Sequence, residues 1–187
     1  MSHAAVKFAK LGIYRLCALG LTVAAKLLFR ARVVGRENIP PHGAIVVARH
    51  TSYWDVPLVA VALGWRRSVT FVARRTLMDE HWWLKPFIAA FAIPVDRERF
   101  RMSDFKRVVR AIEGRRLVAI FPEGSIQQPG KVYPGVVRFA ELTGREILPV
   151  RFRARRGRFP PRYPLGFPAL DLVIGRPFTL RDLEFDL

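Results

Sequence analysis

The stretch Ala44-Ile45-Val46-Val47-Ala48-Arg49-His50-Thr51-Ser52-Tyr53-Trp54-Asp55-Val56-Pro57-Leu58-Val59-Ala60-Val61-Ala62-Leu63 decides how the rest of the chain is read. It opens on an apolar run the length of a short buried strand and closes on one that fits a buried helix. His50 falls where the strand ends and the helix begins, in the crevice beyond the carboxyl ends of the strands, where α/β sheets place reactive groups. Were residues 50–55 helical throughout, the chain would turn by about 500° and leave His50 and Asp55 roughly 140° apart. The two meet only if His50 lies in the turn and Asp55 in the first turn of the helix. The carboxylate then accepts a hydrogen bond from one ring nitrogen, fixes the tautomer and leaves the other nitrogen free to take a proton. A structural reading stands beside this one: Ser52 and Asp55 fit a Ser-x-x-Asp capping box, and His50 fits a satisfied core histidine.

Outward from this stretch, strands and helices alternate. Strands are expected at 32–36, 44–49, 68–73, 93–95, 117–121, 147–152 and 170–175, with Pro149 marking an edge or a bulge. Helices are expected at 53–63, at 81–92 with an aromatic face of Trp82, Trp83, Phe87 and Phe91, at 102–113 before Gly114, and from Pro134-Gly135 to about Thr143. Residues 177–187 read as a tail. The alternation predicts an α/β fold: a mixed, largely parallel sheet flanked by helices.

The first thirty residues differ. Residues 3–30 are apolar and helix-prone, and Leu11–Phe29 is close to the length of a membrane span. Arg15 and Lys26 interrupt it, and its longest uncharged run, 16–25, extends only about 15 Å as helix. Both flanks are basic, with Lys7 and Lys10 before and Arg30, Arg32 and Arg36 after, whereas a crossing helix carries its positive charge on one side. The segment therefore reads as an interfacial or half-inserted anchor, either one helix or a hairpin divided at Gly20. It divides the chain into a membrane-associating segment, 1–31, and an α/β domain, 32–187. The expected location is the cytoplasmic face of the inner or plasma membrane.

Composition narrows the partners. The formal charge is +17, and 26 of the 32 basic residues are arginine, the side chain that holds phosphate in a bidentate fork. Anionic partners follow: a membrane face, coenzyme A phosphates, an acidic carrier protein or nucleic acid. The Arg- and aromatic-rich segment 151–168 taken alone fits a nucleic-acid surface or a solvated basic loop. The single Cys17 excludes an internal disulfide, and the four histidines form no spaced ligand set, so neither metal nor cofactor is expected.

His50-Thr51-Ser52-Tyr53-Trp54-Asp55 resembles the H-x-x-x-x-D motif of the glycerolipid acyltransferases. Three further blocks follow in that family's order: Ile93-Pro94-Val95-Asp96-Arg97, Phe121-Pro122-Glu123-Gly124-Ser125 and Ile147-Leu148-Pro149-Val150. The resemblance covers residues 35 to 150. It implies an O-acyltransferase that moves an acyl chain from acyl-coenzyme A or acyl carrier protein to the sn-2 hydroxyl of 1-acyl-glycerol-3-phosphate, forming phosphatidic acid. It implies that His50 is the general base, Asp55 its orienting partner and Arg97 part of the acceptor site. Glu123, Gly124 and Ser125 belong by position to the same site. Backbone amides at the start of the helix after His50 are expected to stabilise the oxyanion. The chain departs from the family at the third block, where F-P-E-G-T-R-S becomes F-P-E-G-S-I-Q and Ile126 replaces an arginine. Phosphate capture then falls to Arg97, Lys131 or Arg138, and another lysolipid, such as an amino-acid-based one, stays open as acceptor. Two non-enzymatic readings remain, a basic nucleic-acid-binding protein and a non-catalytic lipid binder. The first leaves the four ordered blocks and the apolar N-terminus unexplained, and no nucleic acid is expected.

Overall fold

The computed structural model describes residues 3–80, 82, 85–96, 99–114, 116–123, 134–156 and 167–183, with side chains from Leu11 onward. Its elements run α1 (His3–Phe29), β1 (Arg32–Val34), β2 (Ala44–Ala48), α2 (Asp55–Leu63), β3 (Val69–Arg74), α3 (Leu77–Glu80), α4 (Lys85–Phe91), β4 (Ala92–Val95), α5 (Met102–Glu113), β5 (Leu117–Ile120), α6 (Gly135–Thr143), β6 (Ile147–Ala154), β7 (Leu170–Ile174) and α7 (Leu180–Leu183). The strands form one sheet in the order β1-β7-β6-β2-β5-β3-β4. Every pairing is parallel except β6 with β7. This is the expected mixed, largely parallel sheet.

Alternation along the central strands separates two apolar layers. Ala44, Val46 and Ala48 of β2 and Leu117 and Ala119 of β5 face α1 and α2. Ile45 and Val118 face α5 and α6, where Val108, Ile112, Val136 and Phe139 cover them. α5 is amphipathic and has water on its outer side. α2 is apolar nearly all round because α1 lies over it, and Tyr14, Ala18, Ala25 and Phe29 of α1 belong to the same core. α2 ends at Gly64, where Arg36 donates to the carbonyls of Val61 at 3.0 Å and Ala62 at 3.2 Å, a cation on the negative end of the helix. Gly35 follows β1 at φ +85°, and a Cβ there would lie 2.1 Å from the Ile174 carbonyl oxygen, so only glycine fits where β1 leaves β7.

The structure decides between expectations left open, taking one helix for α1 and a bulge at Pro149, and adds two short helices. α1 is one continuous helix and is not divided at Gly20. Pro149 lies on an interior strand, paired with Val47 of β2. Its missing N–H is tolerated because it faces a register shift on the β7 side: Ile147 to Val150 is three steps, while their partners Phe178 to Ile174 are four apart. Between these pairs the Gly175 amide donates to the Pro149 carbonyl at 2.9 Å. The short helices α3 and α7 were not anticipated. Of the expected aromatic face at 81–92, Phe91 packs on Tyr14, while Trp82 and Phe87 are exposed.

Candidate active site

The parallel strands β2, β5, β3 and β4 end on one edge of the sheet. All three buried carboxylates among the described residues, Asp55, Asp104 and Glu123, lie on the turns along that edge. Because β2 and β5 are neighbours, His50 and Glu123 come together although 73 residues separate them in the chain.

The turn after β2 is built around the Asp55 carboxylate, which is fully buried. Its Oδ2 accepts the Thr51 amide at 2.6 Å and the Ser52 amide at 2.7 Å, and lies 3.3 Å from Nδ1 of His50. Ser52 Oγ accepts the Trp54 amide at 3.2 Å. Asp55 thus makes the contacts of both the capping and the orienting reading. One carboxylate closes the turn through its amides and faces the imidazole. With Nδ1–H directed at an acceptor-only carboxylate, Nε2 carries the free lone pair. Asp55 Oδ1 is buried without a hydrogen-bond partner among the described residues.

Four of the turn's amides are already engaged and do not serve the oxyanion as expected. The amides of Thr51 and Ser52 point into Asp55, the Trp54 amide goes to Ser52 Oγ and the Asp55 amide to the Ser52 carbonyl at 3.1 Å. A carboxylate short enough to accept its own turn's amides turns them inward.

Two groups fix His50 from the β5 side. Glu123 accepts the His50 amide at 2.8 Å and Arg49 Nε at 3.1 Å, so both its oxygens bond within the chain. Phe121 stacks on the imidazole with ring centroids 4.5 Å apart. The same Phe121 lines a cavity of about 820 Å³ between the ends of β3, β4 and β5 and the helices α5 and α6. Val72, Val95, Phe105, Ile120 and Phe139 give it apolar walls, and Arg101 and Arg138 also line it. Such a volume lies in the range of pockets that enclose a small molecule.

The turn after β4 is held by Asp104, in the first turn of α5. Asp104 accepts the Asp96 amide at 3.3 Å, Arg75 at 3.4 Å and Arg107. Burial pushes its carboxyl up. The hydrogen bonds from Arg107 and the Asp96 amide, with the charges of Arg107 and Arg75, outweigh that and hold it below the usual carboxylate range.

The structure thus joins His50, Asp55 and Glu123. Arg97, Gly124, Ser125, Ile126 and Lys131 lie outside the described residues. Phe121 belongs to the third block but with no role read from it, and Arg49 and Asp104 carry no sequence signal of a role at the site. Phe121 and Arg49 follow from the pairing of β2 with β5. The only local trace of Asp104 is its place early in an amphipathic helix.

A family profile described as Acyltransferase matches residues 30–153. A 1-acyl-sn-glycerol-3-phosphate acyltransferase from Bacillus subtilis (strain 168) is 25% identical over 172 residues, which are 91% of this chain and 84% of the relative. A probable 1-acyl-sn-glycerol-3-phosphate acyltransferase from Mycoplasma pneumoniae (strain ATCC 29342 / M129 / Subtype 1) is 27% identical over 153 residues, 78% of this chain and 55% of the relative. The crystal structure of the 1-acyl-sn-glycerophosphate (LPA) acyltransferase PlsC from Thermotoga maritima superposes with a TM-score of 0.66 at 22% identity, covering 94% of this chain and 72% of that one, and so shares the fold.

Proposed function

Because this chain belongs to the Acyltransferase family, we propose that it moves a fatty acyl chain from acyl-coenzyme A or acyl carrier protein to the sn-2 hydroxyl of 1-acyl-glycerol-3-phosphate, forming phosphatidic acid. The names of the two sequence relatives support the acceptor. The observation that carries the reading is the His50 ring, faced by Asp55 at Nδ1 and stacked on Phe121 at the wall of an apolar cavity.

An alcohol is a poor nucleophile near neutral pH, so a base must take its proton as the new bond forms. Nε2 of His50 takes the proton while the acceptor oxygen attacks the thioester carbonyl. The C–S bond then breaks, and the proton passes from the imidazolium to the departing sulfur. An ester and a free thiol result, with no covalent acyl-enzyme. Asp55 stabilises the imidazolium that forms between the two transfers. Glu123 holds the His50 backbone, Gly124 and Ser125 are assigned by sequence to the substrate, and the apolar cavity takes an acyl chain. Arg97, Lys131 and Arg138 are the cations assigned to the acceptor phosphate. Ile126, standing where the family often has arginine, supports the second reading, an acceptor with a different headgroup.

α1 supports a place at the membrane. Leu11–Phe29 is long and apolar enough to cross a bilayer by length and composition. Tyr14, Ala18, Ala25 and Phe29 are buried against the domain, however, while Ile13, Leu16, Leu19, Val23 and Leu27 form an exposed apolar stripe on the other side. A helix packed lengthwise on an α/β domain presents such a stripe to one leaflet and lies in the interface. The site then opens at the cytoplasmic surface of the membrane.

Acyl transfer by the purified protein in detergent, with 1-acyl-glycerol-3-phosphate and acyl-coenzyme A, tests the proposal beside His50→Ala. The expected loss is about 10² to 10⁴ in rate, with the melting temperature near wild type. Undiminished turnover by the variant removes His50 as the base. Turnover by the wild type on another lysolipid alone replaces the acceptor.

A further inference from the structure

The opposite edge of the sheet carries a second cavity, of about 270 Å³. Three neighbouring strands begin there in register, Ala44 and Val69 both pairing with Leu117. The residues just before each strand line the cavity: Pro40, Pro41 and Gly43 before β2, Arg66, Arg67 and Ser68 before β3, and Arg116 before β5. Leu11 of α1 supplies another wall. Seven residues of extended chain separate Gly43 from His50, about 23 Å, so this cavity is no part of the site at His50.

Three arginines line this small volume, and none of the ion pairs among the described residues involves them. Arg67 is held in place by the backbone, donating to the carbonyls of Pro40 at 2.7 Å and Ile39 at 3.4 Å. Arg66 lies over the Trp65 ring at 5.4 Å. The nearby Glu146 is engaged by His42 at 2.8 Å. Like charges gathered without an ion pair of their own among the described residues repel one another, and an anion that accepts several N–H groups relieves them. The volume is too small for a whole lipid and suits a phosphate group with its first attached atoms.

We propose that this cavity binds the phosphate of an anionic lipid headgroup at the bilayer surface, at the far end of the molecule from the catalytic histidine. The lipid source follows from Leu11: the helix whose outer stripe faces the leaflet also forms a wall of the pocket. The inference rests on the interfacial placement of α1 and is independent of the acceptor used at His50.

Arginine-to-lysine substitution separates a built site from diffuse attraction, because it keeps the charge and removes the bidentate fork. The full-length protein and its Arg66→Lys/Arg67→Lys/Arg116→Lys variant are floated with phosphatidylcholine vesicles containing phosphatidylglycerol, a diester that is not the proposed product. Inorganic phosphate is titrated into both proteins in detergent by calorimetry. The expected result is a loss of about tenfold in vesicle affinity for the variant, with detergent turnover unchanged. Equal vesicle affinity and no saturable phosphate binding overturn the proposal in favour of diffuse charge. Saturable phosphate binding that only the variant loses, with vesicle affinity unchanged, keeps the anion site and overturns its lipid source. Arg116→Lys alone repeats the test should the triple variant melt early, since the Arg116 side chain makes no hydrogen bond within the chain among the described residues. Vesicle binding stays readable even if the wild type fails to acylate the named acceptor, so the two readings fail separately.

Discussion

The turn after β2 and the turn after β4 are closed by the same device and lead to different chemistry. In each, a buried aspartate in the first turn of the following helix accepts backbone amides of the turn before it. Asp55 takes the amides of Thr51 and Ser52, and Asp104 takes that of Asp96. The remaining partner differs. Asp55 faces an imidazole that is mostly buried, while Asp104 faces two guanidinium groups that reach solvent, Arg75 and Arg107. An imidazole can give and take a proton near neutral pH, and a guanidinium cannot. On the proposed reading, a buried carboxylate prepares one neighbour to act as a base and holds the other as a fixed cationic scaffold.

The largest expected effect is at Asp55. Asparagine can still accept the two amides through its oxygen, but it has no charge to stabilise an imidazolium. Asp55→Asn should lower the rate by about 10² to 10⁴, as does loss of the base, and leave the circular dichroism spectrum unchanged. At Asp104 the same substitution should act on stability instead. Removing the charge that Arg75 and Arg107 share while keeping an acceptor for the Asp96 amide should cost about 1–3 kcal/mol in denaturant unfolding. The rate constant should change much less than in Asp55→Asn. Equal losses of rate from both substitutions, with stability unchanged, would erase the distinction between the two turns.

A pH titration of stability separates them further. The Asp104 carboxyl is held below its ordinary value, so the unfolded chain binds its proton more readily than the folded one. The contribution is fully present above the ordinary aspartate value of about 3.9 and is lost as the pH falls through the folded value. Wild type should therefore lose stability over that acidic window more steeply than Asp104→Asn. Parallel curves would show that the guanidinium pair does not bias the proton.

How much of this was legible in the sequence follows from how local each feature is. α5 occupies Met102–Glu113 as expected, because Phe105, Val108, Val109 and Ile112 repeat at helical spacing and Gly114 ends it. The β2–α2 turn was legible because its chemistry is contained in six consecutive residues. The stack of Phe121 on His50 and the bonds from Glu123 were not, since they need β5 beside β2, and no local pattern specifies strand order. The capping box names the Ser52 amide as a donor to Asp55, but not the Thr51 amide, which the spacing alone does not pick out. Pro149 left an edge and a bulge open for a related reason, and the bulge is what the structure holds. Proline is excluded from a ladder only on the side its nitrogen faces, and that side is decided by the register of β6 against β7.

The smallest expected effect sharpens the comparison most finely. Arg75 reaches Asp104 at 3.4 Å with a half-exposed side chain, while its own amide donates to the Val95 carbonyl at 2.9 Å. The backbone bond survives any substitution of the side chain. Arg75→Gln should therefore cost less than about 1 kcal/mol, and the cost should shrink further with added salt, as for other solvent-screened pairs. A larger, salt-independent loss would mean that the β4 turn depends on a desolvated ion pair as closely as the β2 turn depends on its imidazole. The two buried aspartates would then differ in the identity of their partner and no longer in how firmly that partner is held.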